Sequence, residues 1–236
     1  MVIAGSDWWL SGLNDVNQVT SGKIHLDQEG VTRFDLRFRP GAAPPPSWIE
    51  ALNAWRTRLH RLRLIGQDPA RYGGIGFGNV SCRVPAGAHG LFLVSGTQTG
   101  RLPVLGAEHY SLVARADIAA NRLEAEGPVA PSSESLTHAM LYALDPHIGC
   151  VLHVHSPGIW RAAGRLGLPT TPADAAYGTP AMAEAVARLH QSGRLRDGLF
   201  VMAGHEDGVV AFGDSIEAAG RVLVSILERA KTLPLS

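Results

Sequence analysis

The sequence lacks several features that would indicate other classes of protein. Lysine plus arginine and aspartate plus glutamate each number 21 in 236 residues, so the formal net charge is zero. Because nucleic acids and anionic membrane surfaces attract strongly basic proteins, we expect neither as a main partner. No run of about 18 apolar residues occurs, which argues against a membrane-spanning helix.

Cysteine is also scarce. Cys82 and Cys150 are the two cysteines of the chain, and they form no CxxC pattern. This usage predicts free, buried thiols in a reducing compartment. The first ten residues contain no basic region followed by a long apolar run, which a secretory leader would have. We therefore expect a cytoplasmic protein.

The residues that are present indicate one large domain preceded by an extension. Hydrophobic residues make up 45% of the chain, which is enough to bury a full core. Residues 1–46 form the predicted extension. In it, apolar and charged residues alternate along VTRFDLRFR, which predicts a half-buried strand. Residues 23–26 could pair with this strand, and a proline-rich linker follows it. We expect the extension to serve packing or subunit contact, and residues 47–236 to form the main domain.

The main domain has a mixed pattern of helices and strands. A capping-box pattern at Ser47 and Glu50 precedes apolar residues at helical spacing, and predicts the first helix. Strand and helix runs then follow without regular βαβ alternation. We therefore expect an α/β protein with a mixed, largely antiparallel sheet and helices on both faces.

The most informative stretch is PSSESLTHAMLYALDPHIGCVLHVHSP, from Pro131 to Pro157. Its first half predicts a helix opened by Ser132 or Ser133, with Glu134 in the first turn. Its second half predicts a buried strand. Because side chains alternate along a strand, His153 and His155 face the same way.

Two imidazoles on one strand face are plausible ligands for a divalent metal such as zinc. A bare HxH pair is more often two ordinary histidines with satisfied hydrogen bonds. A metal site needs a third ligand, and the best candidate is His205, which follows a second apolar strand. His138 lies on the helix face of Glu134, and could either orient that carboxylate or pack the helix.

Three short segments offer small residues, hydroxyl groups and free backbone amides. They are GNVS, SGTQTG and PSSE, and they contain almost no lysine or arginine. Neutral donors and a helix N-terminus can hold a phosphate group. Taken singly, each segment is more often an ordinary turn.

In their order along the chain, GNVSCR, VSG, PSSE, HVHSP and a glycine-histidine before GVVAFG resemble the class II aldolase/adducin family. The resemblance covers roughly residues 48–231. It implies a three-layer α/β/α fold, and a homotetramer with active sites between subunits. It also implies a divalent metal on three histidines, most commonly zinc, with manganese or cobalt as alternatives.

The resemblance also assigns residues to roles. His153 and His155 match the paired metal ligands and His205 the third, although Asp207 could take that place because Glu206 and Asp207 separate His205 from the next glycine. Glu134 matches the carboxylate that acts as acid or base. The phosphate-binding positions are matched by Asn79, Ser95, Gly96, Ser132 and Ser133.

The resemblance implies a metal-dependent lyase that acts on a small sugar or sugar phosphate through an enediolate. Aldolase-type carbon–carbon cleavage is the first expectation. SGTQTGRL is similar to the methylthioribulose-phosphate dehydratase branch, which makes dehydration the alternative. Epimerases usually have aspartate where this chain has Glu134, and an adducin-like structural module would lack the metal histidines. The interface tyrosine of sugar-phosphate aldolases has no clear counterpart, and Tyr177 matches it poorly by position.

Overall fold

The structure is a computed structural model that describes residues 30–85, 87 and 90–233. The strand pairing predicted for residues 23–26 lies outside these described residues. The helices are α1 (Pro46–Arg61), α2 (Ser135–Leu144), α3 (Pro157–Leu166), α4 (Pro180–Gln191) and α5 (Ile216–Thr232). The strands are β1 (Asp35–Pro40), β2 (Gly66–Gln67), β3 (Gly76–Phe77), β4 (Asn79–Arg83), β5 (Phe92–Ser95), β6 (Tyr110–Asp117), β7 (Arg122–Gly127), β8 (Cys150–His155), β9 (Thr170–Thr171), β10 (Leu199–Met202) and β11 (Gly208–Gly213).

Within the described part of the chain, nine strands form one mixed sheet in the order β1-β7-β6-β5-β4-β8-β11-β10-β9. The β1–β7 and β10–β9 pairs are parallel, and the other neighbouring pairs are antiparallel. A separate ribbon of β2 and β3 lies in the connection from α1 to β4. The prediction of a mixed, largely antiparallel sheet is therefore confirmed.

Helices cover both faces of the sheet and bury a separate apolar cluster on each. Residues of α2 and α4 pack in one cluster, and residues of α1, α3 and α5 in the other. The central strand β8 contributes to both, because Val151 packs on the α2 side and Leu152 and Val154 on the opposite side. The result is a three-layer α/β/α fold, as expected. No helix among the described residues is long and apolar enough to cross a membrane.

Side-chain caps are present at the starts of three helices and absent at the start of α1. Ser156, Thr179 and Ser215 each accept a hydrogen bond from a backbone amide at the start of α3, α4 and α5. The capping box predicted at Ser47 is wrong, because α1 begins at Pro46 and has no side-chain cap. A proline at the first helical position already lacks the amide hydrogen that a cap would satisfy.

Strand β1, which belongs to the predicted extension, is an edge strand of the main sheet. It pairs with β7 in parallel, from Asp35 opposite Arg122 to Pro40 opposite Gly127. Phe34 just before it is buried in the cluster on the α2 side. The alternation of apolar residues in this segment therefore reflects packing against the same core as the rest of the chain.

The prediction of free cysteines is wrong. Cys82 on β4 and Cys150 on β8 form a disulfide, and neither is free. The antiparallel register of these strands places the two residues directly opposite each other. Their separation of 68 residues conceals this pairing in the sequence. The cysteines therefore give no support for a reducing compartment.

Candidate metal centre

Strand β8 and the turn between β10 and β11 bring three histidines together. His153 and His155 lie on the α2 side of β8, and His205 lies in the turn. Possible ligand nitrogens of the three residues all lie within 4.8 Å of one another. The Nε2 atoms of His155 and His205 are 3.0 Å apart. All three side chains are buried, so the predicted third histidine does join the pair.

The chemistry of these three donors suits a divalent cation. Burial, followed by the charges of His205, His153 and Arg71, lowers the pKa of His155 well below its ordinary value. A neutral imidazole is the form that ligates a metal. Two nitrogens bound to one tetrahedral zinc ion would lie about 3.3 Å apart, close to the separation of the two Nε2 atoms. The residues present therefore fit a three-histidine metal site.

Glu134 lies beside this cluster. Its Oε1 atom is 3.2 Å from Nδ1 of His205, and Thr137 donates a hydrogen bond of 3.1 Å to its Oε2 atom. Glu134 is the N-cap residue of α2 and no side chain caps that helix, so the predicted opening at Ser132 or Ser133, with Glu134 in the first turn, is wrong by one or two positions. Burial alone would raise the pKa of Glu134, but the nearby imidazoles, His153 above all, lower it to about 2. The carboxyl group is therefore ionised and can accept a proton.

His138 does not orient the Glu134 carboxylate. Its Nδ1 atom lies 2.7 Å from the hydroxyl oxygen of Ser81, which also lies 2.7 Å from the hydroxyl of Tyr142. Burial lowers the pKa of His138 to about 3. His138 therefore ties α2 to β4 as a neutral imidazole, and this favours the packing role of the two considered from the sequence.

A small polar cavity lies next to the metal centre. Its lining combines the three segments that the sequence singled out, and among the predicted phosphate-binding residues it includes Asn79, Gly96, Ser132 and Ser133. Ser95 does not line it, because its hydroxyl accepts a hydrogen bond of 3.1 Å from the amide of Val80. Ser95 therefore holds β4 against β5 instead of facing the cavity.

Backbone geometry explains why a glycine precedes Asn79. Gly78 has φ of +77°, and a Cβ atom there would lie 2.8 Å from Ile65 and 3.1 Å from the carbonyl oxygen of His153. The side-chain oxygen of Asn79 is buried and has no hydrogen-bond partner among the described residues. An amide group in this setting can rotate to offer its N–H donors to a phosphate.

Sequence reasoning missed a cluster on the other side of His155. Tyr72 donates a hydrogen bond of 2.6 Å to Oδ2 of Asp207, and its ring packs against the His155 ring with 4.6 Å between centroids. Burial, and then Asp207, raise the pKa of Tyr72 well above its ordinary value. Asp207 is thus directed at Tyr72, and the group of candidate ligands contains His205 instead. No local motif marked Tyr72.

The segment before β1 also reaches the site. The ring of Tyr177 packs against His205, with 4.5 Å between centroids. The hydroxyl of Tyr177 accepts a hydrogen bond from the amide of Val31, and the Arg33 guanidinium lies over its ring. Gly30 lines the polar cavity. The structure thus places Tyr177 at the metal centre, where its position in the sequence gave little reason to expect it.

Comparison with known proteins agrees with this fold. The family described as Class II Aldolase and Adducin N-terminal domain matches residues 70–233. The match covers more than half of the chain and includes every residue of the three-histidine cluster. The chain belongs to the class II aldolase and adducin family.

Curated relatives are similar in sequence to shorter segments of this chain. The methylthioribulose-1-phosphate dehydratase of Xanthomonas euvesicatoria is 42% identical over 69 residues, which are 29% of this chain and 28% of that protein. The enzyme of the same name from Pseudomonas paraeruginosa is 41% identical over 78 residues, 33% of this chain and 34% of that protein. The chain thus matches about a third or less of the length of these relatives.

Solved structures share the fold over most of the chain. An L-fuculose 1-phosphate aldolase superimposes with a TM-score of 0.60 at 19% identity, covering 80% of this chain and 85% of that one. A sugar-phosphate aldolase from Thermotoga maritima gives a TM-score of 0.58 at 14% identity, covering 78% and 92%. At these identities the likeness establishes the fold alone.

Proposed function

We propose that this chain is a divalent-metal-dependent lyase that removes water from a ketose phosphate of the methylthioribulose 1-phosphate type. The observation that carries the choice of reaction is the local identity of 41–42% to dehydratases of that name. The buried arrangement of three histidines and one carboxylate supports the class of chemistry. We therefore rank dehydration ahead of aldol cleavage, which was the first expectation from the sequence.

Three residues of this chain would hold the metal: His153, His155 and His205. Zinc suits three imidazoles best, and manganese and cobalt are alternatives. When bound, the cation would supply Lewis-acid polarisation of a substrate carbonyl group. Because the three histidines are buried, the electrostatic interaction with the substrate would be stronger there than in open water.

Glu134 is the residue we assign to proton transfer. Its ionised carboxylate, with His205 and Thr137 at its two oxygens, can accept the proton from the carbon next to the substrate carbonyl. The same group, once protonated, can return that proton to the departing hydroxyl group. The net change is then the loss of one water molecule, with no oxidant or reductant required.

The polar cavity would bind the phosphate group. Its donors would be the amide group of Asn79 and the hydroxyls of Ser132 and Ser133. The aligned peptide dipoles of α2 add positive electrostatic potential at the start of that helix. Since none of the described residues that line the cavity is lysine or arginine, binding would depend on the geometry of neutral donors.

Aldol cleavage is the second candidate, because a carboxylate beside a metal-bound carbonyl also serves carbon–carbon bond cleavage.

The family resemblance supports a homotetramer with active sites at subunit interfaces, which light scattering would test. In such an assembly a neighbouring subunit could contribute residues to the site beside Glu134.

The decisive assay compares two substrates on one zinc-loaded preparation. Mass spectrometry would follow methylthioribulose 1-phosphate for loss of one water, and L-fuculose 1-phosphate for release of dihydroxyacetone phosphate. We expect dehydration of the first, and its loss in Glu134→Gln. Cleavage of the second without dehydration of the first would replace the dehydratase proposal with the aldolase. Failure of both substrates with fully loaded protein would overturn both.

A further inference from the structure

Two residues with a strained backbone, one of them packed against His155, are joined by one hydrogen bond. Tyr72 has φ of +51° and Asp207 has φ of +61°, a backbone region that costs a non-glycine residue energy. Such strain persists where surrounding contacts fix it. Here the fixing contact is the hydrogen bond of 2.6 Å from the Tyr72 hydroxyl to Oδ2 of Asp207.

The bond sets the position of the Tyr72 ring. That ring meets the His155 ring edge-on, at 70° and 4.6 Å between centroids, and Phe77 packs against both rings. The guanidinium of Arg71 lies over the rings of Tyr72 and Phe77 and also donates to Oδ2 of Asp207, at 3.3 Å. The His155 imidazole therefore has an aromatic wall whose position depends on the Asp207 carboxylate.

Asp207 also fixes the backbone on which two of the histidines depend. Its carbonyl oxygen accepts a hydrogen bond of 2.8 Å from the amide of Ser156, the residue after His155. The amide of Gly208 donates 2.9 Å to the carbonyl of His205. One residue thus connects the end of β8, the turn that carries His205, and the wall beside His155.

We propose that Asp207 and Tyr72 are positioning residues that hold His155 and His205 in the orientation for metal ligation. The inference rests on the proposed metal centre and adds to it, because neither residue belongs to the ligand group. Groups that fix the orientation of a ligating histidine typically change metal affinity 10–100-fold when removed. We therefore expect the Asp207–Tyr72 bond to set how tightly the centre holds its ion.

The turn supplies a matched control. Glu206 is exposed, whereas Asp207 beside it is buried. Glu206→Gln and Asp207→Asn make the same chemical change at neighbouring positions, and only the second alters the acceptor of the Tyr72 hydroxyl. Tyr72→Phe removes that hydroxyl and keeps the ring, so it disturbs packing little.

The experiment titrates Co²⁺ into metal-free protein and records visible absorption, a spectrum that reports the geometry of the ligands. We expect Tyr72→Phe and Asp207→Asn each to weaken Co²⁺ binding about 10–100-fold and to shift the absorption bands. Glu206→Gln should match the wild type. The double variant should be no weaker than Asp207→Asn alone, because that change already alters the acceptor that Tyr72 and Arg71 share.

Two results would contradict the inference in distinguishable ways. Identical Co²⁺ affinities and spectra in wild type, Tyr72→Phe and Asp207→Asn would overturn the positioning role and leave the metal centre intact. Absence of Co²⁺ binding in the wild type would overturn the metal centre itself, and this inference with it. Thermal melts of the metal-free variants would show whether each is folded, and Tyr72→Phe, the smaller change, decides if Asp207→Asn does not fold.

Discussion

Nδ1 of His205 lies 3.2 Å from Oε1 of Glu134. This contact joins the start of α2 to the turn between β10 and β11, and it brings a carboxylate to the edge of a buried group of imidazoles. A histidine that ligates a metal commonly directs its other nitrogen at a carboxylate. The contact therefore allows two roles for Glu134, moving a substrate proton or orienting His205, and these can be separated by experiment.

Replacing Glu134 with glutamine tests those roles. If Glu134 transfers a proton, Glu134→Gln should lower kcat by about 10²–10⁴-fold, because the amide cannot accept a proton. The metal content should stay near that of the wild type. Steady-state kinetics and elemental analysis of the same sample would check this. A variant that loses its metal together with its activity would instead show that Glu134 mainly orients His205.

The amide of Asn79 provides a test of the phosphate cavity. Asn79→Ala should raise KM for a phosphorylated substrate about 10–100-fold and change kcat less, because one hydrogen bond to a charged group is lost. Asn53→Ala is a matched control, since the Asn53 amide donates to the carbonyl of Leu105 on the other side of the sheet. Equal effects of the two substitutions on KM would contradict a phosphate site at Asn79.

The depressed pKa of His138 predicts acid sensitivity. Burial lowers this pKa to about 3 in the folded protein, whereas it is about 6.5 when unfolded. Because the unfolded chain binds the proton first, the free energy of unfolding should fall as pH decreases from about 6.5 to about 3. Urea unfolding of metal-free protein across this range would measure the slope. His138→Gln should flatten it, and an unchanged slope would show that His138 does not contribute.

The disulfide between Cys82 and Cys150 should stabilise the sheet. Closing a loop of 68 residues is worth about 4 kcal/mol in the chain-entropy model, so reduction should lower the free energy of unfolding by up to that amount. Chemical unfolding with and without dithiothreitol would measure the loss. A Cys82→Ala/Cys150→Ala variant should not respond to the reductant. Two free thiols in untreated, denatured protein would contradict the pairing.

The sequence predicted features that depend on neighbouring residues. The HxH alternation on β8 requires no knowledge of distant contacts, and the structure has it. The order of several short motifs was enough to identify the family. One local signal failed at α1, because the helix begins at Pro46 and Ser47 therefore lies inside its first turn instead of at the N-cap.

Features that depend on distant contacts were not predictable. The Tyr72–Asp207 bond joins residues 135 positions apart, and the disulfide joins residues 68 apart. The disulfide follows from the register of β4 with β8, whereas the Tyr72–Asp207 bond joins the connection between β2 and β3 to the turn between β10 and β11. Ser95 illustrates the converse, because its motif suggested a ligand role while the pairing of β4 with β5 assigns its hydroxyl to the Val80 amide.

Elemental analysis tests directly whether the three histidines hold a divalent metal. Protein purified without added metal would be analysed for zinc, manganese and cobalt beside a His153→Ala/His155→Ala variant, a His205→Ala variant and a His190→Ala control on α4. We expect a near-stoichiometric divalent metal in the wild type and the control, and its loss in the other two variants. Absence of metal from the wild type, with none bound after incubation with these ions, would contradict the metal-dependent lyase.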